Sequence, residues 1–457
     1  MLLNDVLRKL PSPLKIPNAR GKIKYLNKMM KNKLIVLDDD PTGCQTVHDI
    51  EILMVWDSSS LKTVFEKNDV FYILTNSRAY SEDTAMSLNR SICQNLLKVS
   101  DKKQLRIISR SDSTLRGHFY AEIITLAKIL GPFDGVVIAP YFKEGKRLTI
   151  FDTHYILENG NLIEVNKTEY SKDPVFGYKN AYLPAWVEEK SRGLWKKEEV
   201  ISIKVEKLRT EGPRYVSEIL KKVQGFKPII VNSLCDEDME VFVLGLLEAE
   251  KEGKRFLYRT AASFVKIRAG IPDKDLYVPL KQNTGLIIVG SYVQKTTQQL
   301  HYLLKTEPLE RLEIKLKRVF NDKESYINEI VKKVDVALKN KQTFVIYTER
   351  KYGFHGSRIG QLKKSQELSN FLAEIVDKLY ERPDFIIAKG GITSFDIAKK
   401  GLRVKKAFVL GQISPGVPIW KLGRESKYPD LLYIVFPGNV GEEKTLHDIF
   451  RKITRGE

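Results

Sequence analysis

Cysteine is scarce in this chain of 457 residues: there are three, Cys44, Cys93 and Cys235, far apart and with no CxxC pair. That argues against a disulfide framework and a cysteine-based zinc site, and it suits a reducing cytoplasm. No apolar run is long enough to cross a bilayer as a helix, so no membrane partner is expected. The start, MLLNDVLRKLPSP, has neither a long apolar core nor a small-residue cleavage site, and a signal peptide is not expected. Acidic residues are in deficit, with 57 Asp and Glu against 76 Lys and Arg and a formal net charge of +19. The lysines are spread along the chain rather than gathered in a tail or stripe. That pattern favours solubility and argues against nucleic-acid binding. Neither GxxxxGKS/T nor GxGxxG occurs, so a P-loop NTPase and a standard dinucleotide fold are disfavoured. His48, His118 and His154 lack HExxH-type spacing and read as ordinary hydrogen-bonded histidines rather than zinc ligands.

What is present is alternation. Short apolar runs such as LIVL (34–37), VFYIL (70–74), LRIIS (105–109), GVVIA (135–139), KPIIV (227–231), GLIIVG (285–290), DFIIA (384–388) and LYIVF (432–436) read as buried strands. Between them, 83–99 and 367–381 carry apolar residues at helical spacing. The pattern predicts an α/β fold of two domains, each with a mainly parallel sheet flanked by helices. A charged stretch punctuated by Gly and Pro over 247–285 places the boundary near 250–280, giving domains 1–250 and 251–457. Residues 157–215 look irregular, as an insertion or cover.

The chemistry-bearing residues follow the strands. LIVL runs into DDDPTG, three carboxylates and a turn; VFYIL into Thr75-Asn76-Ser77-Arg78; LRIIS into RSDSTLRGH; GVVIA into PYFKEGKRLT. If the strands are parallel, all four loops meet at one edge of the sheet, where ligands of open α/β folds collect. Arginine grips a carboxylate through two hydrogen bonds, Ser, Thr and Asn read hydroxyls, and an Asp can take a proton. The set suits a small polar anion, although Arg110 and Asp112 could simply pair with each other. In the second half, IIAKGGITSFDI reads as strand, glycine turn and helix. There Gly390 and Gly391 allow close backbone approach, and Thr393 and Ser394 cap the helix start, an anion site. GQISPGVPIW (411–420) and FPGNVGEE (436–443) follow two more strands. Three such turns together suggest a nucleotide domain.

These pieces, DDDPTG with QTVHD, TNSR, SRSDSTLRGH, GKRLT followed by His154, RTAASF, KGGITS, PGVP and GNVG, occur in the order seen in one family. The sequence resembles the four-carbon acid sugar kinases, those of threonate, erythronate and 3-oxo-tetronate type. The resemblance implies an N-terminal domain for the acid sugar, a C-terminal domain for ATP with Mg²⁺, and phosphoryl transfer between them. It assigns Thr42, Gly43, Asn76, Ser77, Arg78, Ser113, Thr114, Arg116 and Arg147 to the substrate. Ser263, Gly390, Gly391, Thr393, Ser394, Gly438, Asn439 and Gly441 go to the nucleotide. The candidate proton acceptors are Asp39, Asp40 and Asp112. Asp112 lies between two arginines and is the poorer base, and Asp40 is preferred for its place beside the turn, with Asp39 as an Mg²⁺ or structural partner. A non-catalytic sensor of a nucleotide or sugar acid is the competing reading. The oligomeric state is left open, a homo-oligomer included.

Overall fold

The fold is given by a computed structural model that describes residues 2–350 and 358–456. It divides into two compact units, Met1–Val47 with Val55–Asp273, and His48–Met54 with Lys274–Glu457. The division falls after Asp273 rather than at 250/251. Phe256–Thr260 is a strand inside the first unit's sheet, and the helix Ala262–Arg268 buries Phe264, Val265 and Ile267 in that unit's core.

In the first unit the strands are β1 (Lys33–Asp38), β3 (Val70–Leu74), β4 (Leu105–Arg110) and β5 (Gly135–Ala139). They are followed by β6 (Arg147–Ile150), β7 (Thr153–Glu158), β8 (Asn161–Glu164), β9 (Ile201–Ile203), β10 (Lys227–Val231) and β11 (Phe256–Thr260). β2 (Ile50–Leu53) belongs to the second unit. The main sheet runs β3-β1-β4-β11-β5-β10-β9, parallel throughout. Helices on both faces explain the apolar composition of the central strand: Ile35 and Val36 are wholly buried. Two of the first unit's helices start on a side-chain cap, Ser58–Lys67 and Glu82–Val99. Asp57 accepts the Ser60 amide at 2.9 Å, and Ser81 caps Glu82–Val99. From β1 the chain goes to β3 on one side and then to β4 on the other. The C-terminal ends of β1 and β4 therefore flank a switch point, where parallel sheets open a crevice.

The region 157–215 is more regular than its sequence suggests. β6, β7 and β8 form a separate antiparallel sheet, and the helices Leu183–Lys190 and Val205–Lys222 follow. Pro213 inside the second helix, beside Gly212 at φ 68°, breaks the helical periodicity.

The second unit contains β12 (Gly285–Val289), β13 (Glu310–Ile314), β14 (Phe344–Thr348), β15 (Phe385–Lys389), β16 (Lys406–Ser414), β17 (Val417–Leu422) and β18 (Leu432–Phe436). β13-β14-β12-β15-β18 is parallel, and β17, β16 and β2 add an antiparallel flank. GQISPGVPIW is thus a β-hairpin turning at Pro415-Gly416, not a glycine loop leading into a helix. A second switch point lies between β12 and β15.

A buried ion cluster fastens the first unit away from the strand-end loops. Glu250 accepts from Arg268 Nη2 at 2.7 Å and lies 3.2 Å from Arg106 Nε, and the Tyr258 hydroxyl donates to it. Burial opposes its ionisation, but Arg268 and Arg106 outweigh burial and hold its carboxyl below the usual range. Glu250→Ala leaves a fully buried guanidinium unpaired, and a loss of about 3–5 kcal/mol is expected. Urea denaturation measures it; a loss under about 1 kcal/mol would mean that Arg268 finds another partner.

Candidate functional site

The first switch point gathers the loops predicted from the sequence. Backbone groups tie them together before any side chain acts. The Asp38 carbonyl accepts the Thr75 amide at 2.9 Å and its hydroxyl at 2.8 Å, joining the β1 and β3 loops. The Ser111 amide donates to the Thr260 carbonyl at 2.8 Å, joining the β4 and β11 loops. The turn after β1 folds down on the strand. Gly43 packs so tightly on the Asp38 carboxylate that a Cβ there would lie 2.1 Å from its oxygens, so glycine is the residue that fits.

On this frame carboxylates and guanidiniums alternate. Arg78 donates to Asp40 and lies 3.4 Å from Asp112. Arg116 Nε donates to Asp112 at 2.8 Å, and its Nη1 lies 3.6 Å from Asp173. Arg110 pairs with Asp38 at 3.2 Å and Asp39 at 3.7 Å, not with Asp112. The three adjacent aspartates consequently differ. Burial lifts Asp38 to about 7 despite Arg110, with Asp39 and Asp40 adding to the rise. Burial also raises Asp39, against Arg78 and Arg110. For Asp40 burial pulls upward, but Arg78 and the Thr42 hydroxyl and amide outweigh it and hold the carboxyl low. That does not suit the base role preferred for Asp40 from sequence. Asp112 is likewise held low, burial being outweighed by Arg116 and Arg78.

Several buried polar atoms at this edge have no hydrogen-bond partner: Asp39 Oδ1, Arg78 Nη1, Arg110 Nε and Thr260 Oγ1. They come from the ends of β1, β3, β4 and β11, and such groups are costly to bury unsatisfied. Asp39 Oδ2 accepts from Ser111 at 2.7 Å. Gly117, at φ 123°, leaves room in which Ser111 Oγ, Arg259 Nη2 and Asp39 Oδ2 all approach.

The remaining predicted residues fall into two groups. Thr114 bonds Asp112, Asn76 turns the chain in the left-handed region at φ 51°, and Ser77 donates to Glu122 at 2.5 Å. Ser113 contributes its carbonyl, which accepts from His154 Nε2 at 2.8 Å. Arg147 starts β6, its guanidinium 6.0 Å from the Tyr170 ring centre and bonded to the Gly145 carbonyl. Ser263 lies in the first unit rather than with the nucleotide turns, and its hydroxyl accepts the Lys143 amide at 3.0 Å. Sequence reasoning missed Arg259, Glu122 and Ser109. Arg259 bridges Ser109, at 2.8 Å, and Glu122. An arginine inside a strand, with a glutamate inside the helix Phe119–Leu130, was the available signal.

In the second unit the loops after β12, β15 and β18 converge. Gly290 packs on Thr393, and Gly438 on Ser291 Oγ; Thr296 Oγ1 donates to the Gly438 carbonyl at 2.9 Å. Gly391 opens the short helix Gly391–Asp396, while Gly441 turns the chain at φ 84°. Asn439 lies in the same loop, between Gly438 and Gly441. Ser394 is wholly buried, and its hydroxyl is spent on the Ala388 and Gly390 carbonyls, each at 2.8 Å, so it does not cap the helix start. Lys389, missed from sequence, is buried at the end of β15 and donates to the Pro437 carbonyl at 2.7 Å. Burial, with Lys295 adding, holds its ammonium well below the usual lysine range. No group of three or more His, Cys, Asp or Glu among the described residues could hold a metal ion. No helix of the described residues is long and apolar enough to cross a membrane.

Comparisons with known proteins agree with this division. A model of a sugar-binding N-terminal domain matches residues 34–268, and a model of a nucleotide-binding C-terminal domain matches residues 286–446. The Haemophilus influenzae protein HI1011 is similar in structure, with a TM-score of 0.64 at 18% identity, over 91% of this chain and 99% of that one. A Salmonella typhimurium LT2 protein provisionally described as a tRNA synthase is similar at a TM-score of 0.69 and 16% identity, over 92% and 99%. At such identities the likeness is one of fold. A search of curated proteins returns no match.

His154 offers a test of how the β4 loop is held. It is fully buried between Thr149, at 2.9 Å, and the Ser113 carbonyl, and burial pushes its imidazole down to about 4. The folded state therefore keeps it neutral where the unfolded chain protonates it. Its contribution is complete above about 6.5 and is lost as pH falls toward 4, a total on the order of 3 kcal/mol. Denaturation midpoints between pH 7.5 and 4 should fall less steeply in His154→Gln than in the wild type. Equal slopes would assign the pH dependence to other groups.

Proposed function

Because the chain belongs to the family that joins a sugar-binding N-terminal domain to a nucleotide-binding C-terminal domain, we propose that it is an ATP-dependent kinase of a small acid sugar, of the four-carbon class. The observation that carries this reading is the set of buried atoms without a hydrogen-bond partner at the first switch point, Asp39 Oδ1, Arg78 Nη1, Arg110 Nε and Thr260 Oγ1. A short polyhydroxy acid answers them. Its carboxylate takes guanidinium donors, and its hydroxyls donate to a carboxylate and accept from a threonine.

In this reading the acceptor hydroxyl oxygen forms a bond to the γ-phosphorus of ATP. The bond to the β–γ bridging oxygen breaks, ADP leaves, and the hydroxyl proton passes to a carboxylate. Asp39 fits that last task better than Asp40: its Oδ1 accepts no hydrogen bond and burial raises its proton affinity, whereas Asp40 is spent on Arg78 and Thr42. The glycine loops of the second unit, with Gly390, Gly391, Thr393, Gly438 and Gly441, suit close approach of the ATP phosphates. Mg²⁺ bound with the nucleotide would neutralise phosphate charge. The residues suit an ion carried by those phosphates rather than a protein-only cage.

ATP turnover across a panel of C4 to C6 aldonic acids tests the reading: stimulation by at least one acid is expected. Binding of an acid without turnover would favour the sensor instead. Asp39→Asn should cut turnover by about 10²–10⁴-fold, the scale of lost acid–base catalysis, with ATP affinity kept. Since the proton acceptor must be ionised and its carboxyl is raised, activity should fall with decreasing pH before an ordinary exposed carboxylate would protonate. Full activity in Asp39→Asn would return the role to Asp40 or Asp112. Gly391→Val should weaken ATP binding at least tenfold in calorimetry and leave acid binding unchanged; unaltered ATP affinity in the folded variant would remove that loop from the nucleotide site.

A further inference from the structure

Asp38 is the carboxylate to which the kinase reading gives no task. It ends β1, is buried, and has Gly43 packed on its carboxylate. Its Oδ1 accepts the Asp40 amide at 3.3 Å and Arg110 Nη1 at 3.2 Å. The same Nη1 lies 3.7 Å from Asp39 Oδ1, beyond hydrogen-bond reach. One guanidinium nitrogen is therefore shared unequally, bonded to Asp38 and in electrostatic contact with Asp39. The groups that face Asp38 are Arg110 from β4, Tyr72 from β3, and its neighbours Asp39 and Asp40; Cys44 faces Tyr72 in turn. Of these, only Arg110 is a cation; Asp39 itself also faces Arg78 from the β3 loop, Glu122 from the helix Phe119–Leu130 and Arg259 from β11.

We propose that Asp38 is a positioning residue that draws Arg110 away from Asp39 and so keeps the Asp39 carboxylate able to accept a proton. The catalytic meaning of this rests on the kinase reading, but the coupling between the three side chains does not. The alternative geometry is plain. Without a charge on Asp38, more of the Arg110 charge would bear on Asp39, adding to that of Arg78 and Arg259, stabilise its anion and make it a weaker base. Burial lifts the Asp38 carboxyl to about 7, against Arg110. Above that pH Asp38 is ionised and holds Arg110; below it, Asp38 takes a proton and its hold slackens. The two carboxylates titrate as a pair rather than independently.

Carbon-13 NMR of aspartate-labelled protein, with Asp39→Asn and Asp38→Asn assigning the signals, reads this directly. In the wild-type protein the Asp39 carboxyl carbon should titrate in two steps, one of them at the midpoint of Asp38. In Asp38→Asn it should titrate in one step, its proton affinity about tenfold lower. Where an acid is phosphorylated, the acid limb of kcat/KM should move to lower pH in Asp38→Asn by the same factor, with kcat reduced. A role in packing alone would lower kcat or stability without moving either titration. A single Asp39 step in the wild type, or an unmoved Asp39 midpoint in Asp38→Asn, overturns the proposal, and the wild-type measurement stands even if the variant does not fold. If no acid is phosphorylated but the Asp39 titration is coupled, the kinase reading fails and the coupling holds.

Discussion

The parallel pairing of β1 with both β3 and β4 is the constraint from which the first unit's chemistry follows. It brings the carboxyl ends of three central strands to one edge, and β11 adds a fourth. Backbone polarity at those ends must be satisfied, and the loops do so by bonding one another through Asp38, Thr75, Ser111 and Thr260. Once the loops are tied, their side chains have little freedom, so charge balance at the edge is settled within the protein. Four arginines answer it, Arg78, Arg110, Arg116 and Arg259, each ion-paired with a carboxylate.

The balance is electrostatically tense. Removing a charge from water costs several kcal/mol, and attraction inside the protein offsets it only where geometry and hydrogen bonding are good. Asp40 and Asp112 meet that condition, each with a guanidinium and a hydroxyl donor, and both stay ionised. Asp39 meets it by half: one oxygen is bonded to Ser111, and the other accepts no hydrogen bond, with Arg110 3.7 Å away and Arg78 and Arg259 acting only through their charge. An incompletely satisfied charge in a buried place is a poor stabiliser but a usable base. The ladder around it is what makes that imbalance tolerable.

Much of this was legible in the sequence because the central strands are short, apolar and followed at once by polar loops. LIVL, VFYIL, LRIIS, GVVIA, DFIIA and LYIVF lie within strands matching the periodicity, give or take a residue. The failures have physical causes. FLYRT carries an arginine that argues against a buried strand until Glu122 is known to face it, and that partner is distant in sequence. Ser394 has the residue type and position of a helix cap, but the end of β15 offers it two carbonyls instead. The hairpin at Pro415-Gly416 shares its glycine-rich composition with phosphate-binding turns, and only the pairing of β16 with β17 separates them. The boundary drawn at 250/251 from the charged, Gly- and Pro-punctuated stretch cut off β11 and the helix carrying Ser263, which the first unit's sheet claims through the pairing of β11 with β4 and β5.

The three consecutive aspartates show where sequence reasoning stops. Strand alternation sends neighbouring side chains to opposite faces, and this holds only while the strand lasts. β1 ends at Asp38, so its side chain still obeys the sheet and points into the packing beneath Gly43. Asp39 follows the chain as it leaves the sheet and meets the β4 loop, while Asp40 opens the turn and meets Thr42 and the β3 loop. Identical residues at successive positions thus enter three environments: one dominated by burial, one by partial pairing and one by full pairing. Repulsion among them is part of that ordering, since the charge on Asp39 and Asp40 raises Asp38 further. The charge of its two neighbours is thus part of what sets Asp38, and the triplet forms a graded set rather than three copies of one group.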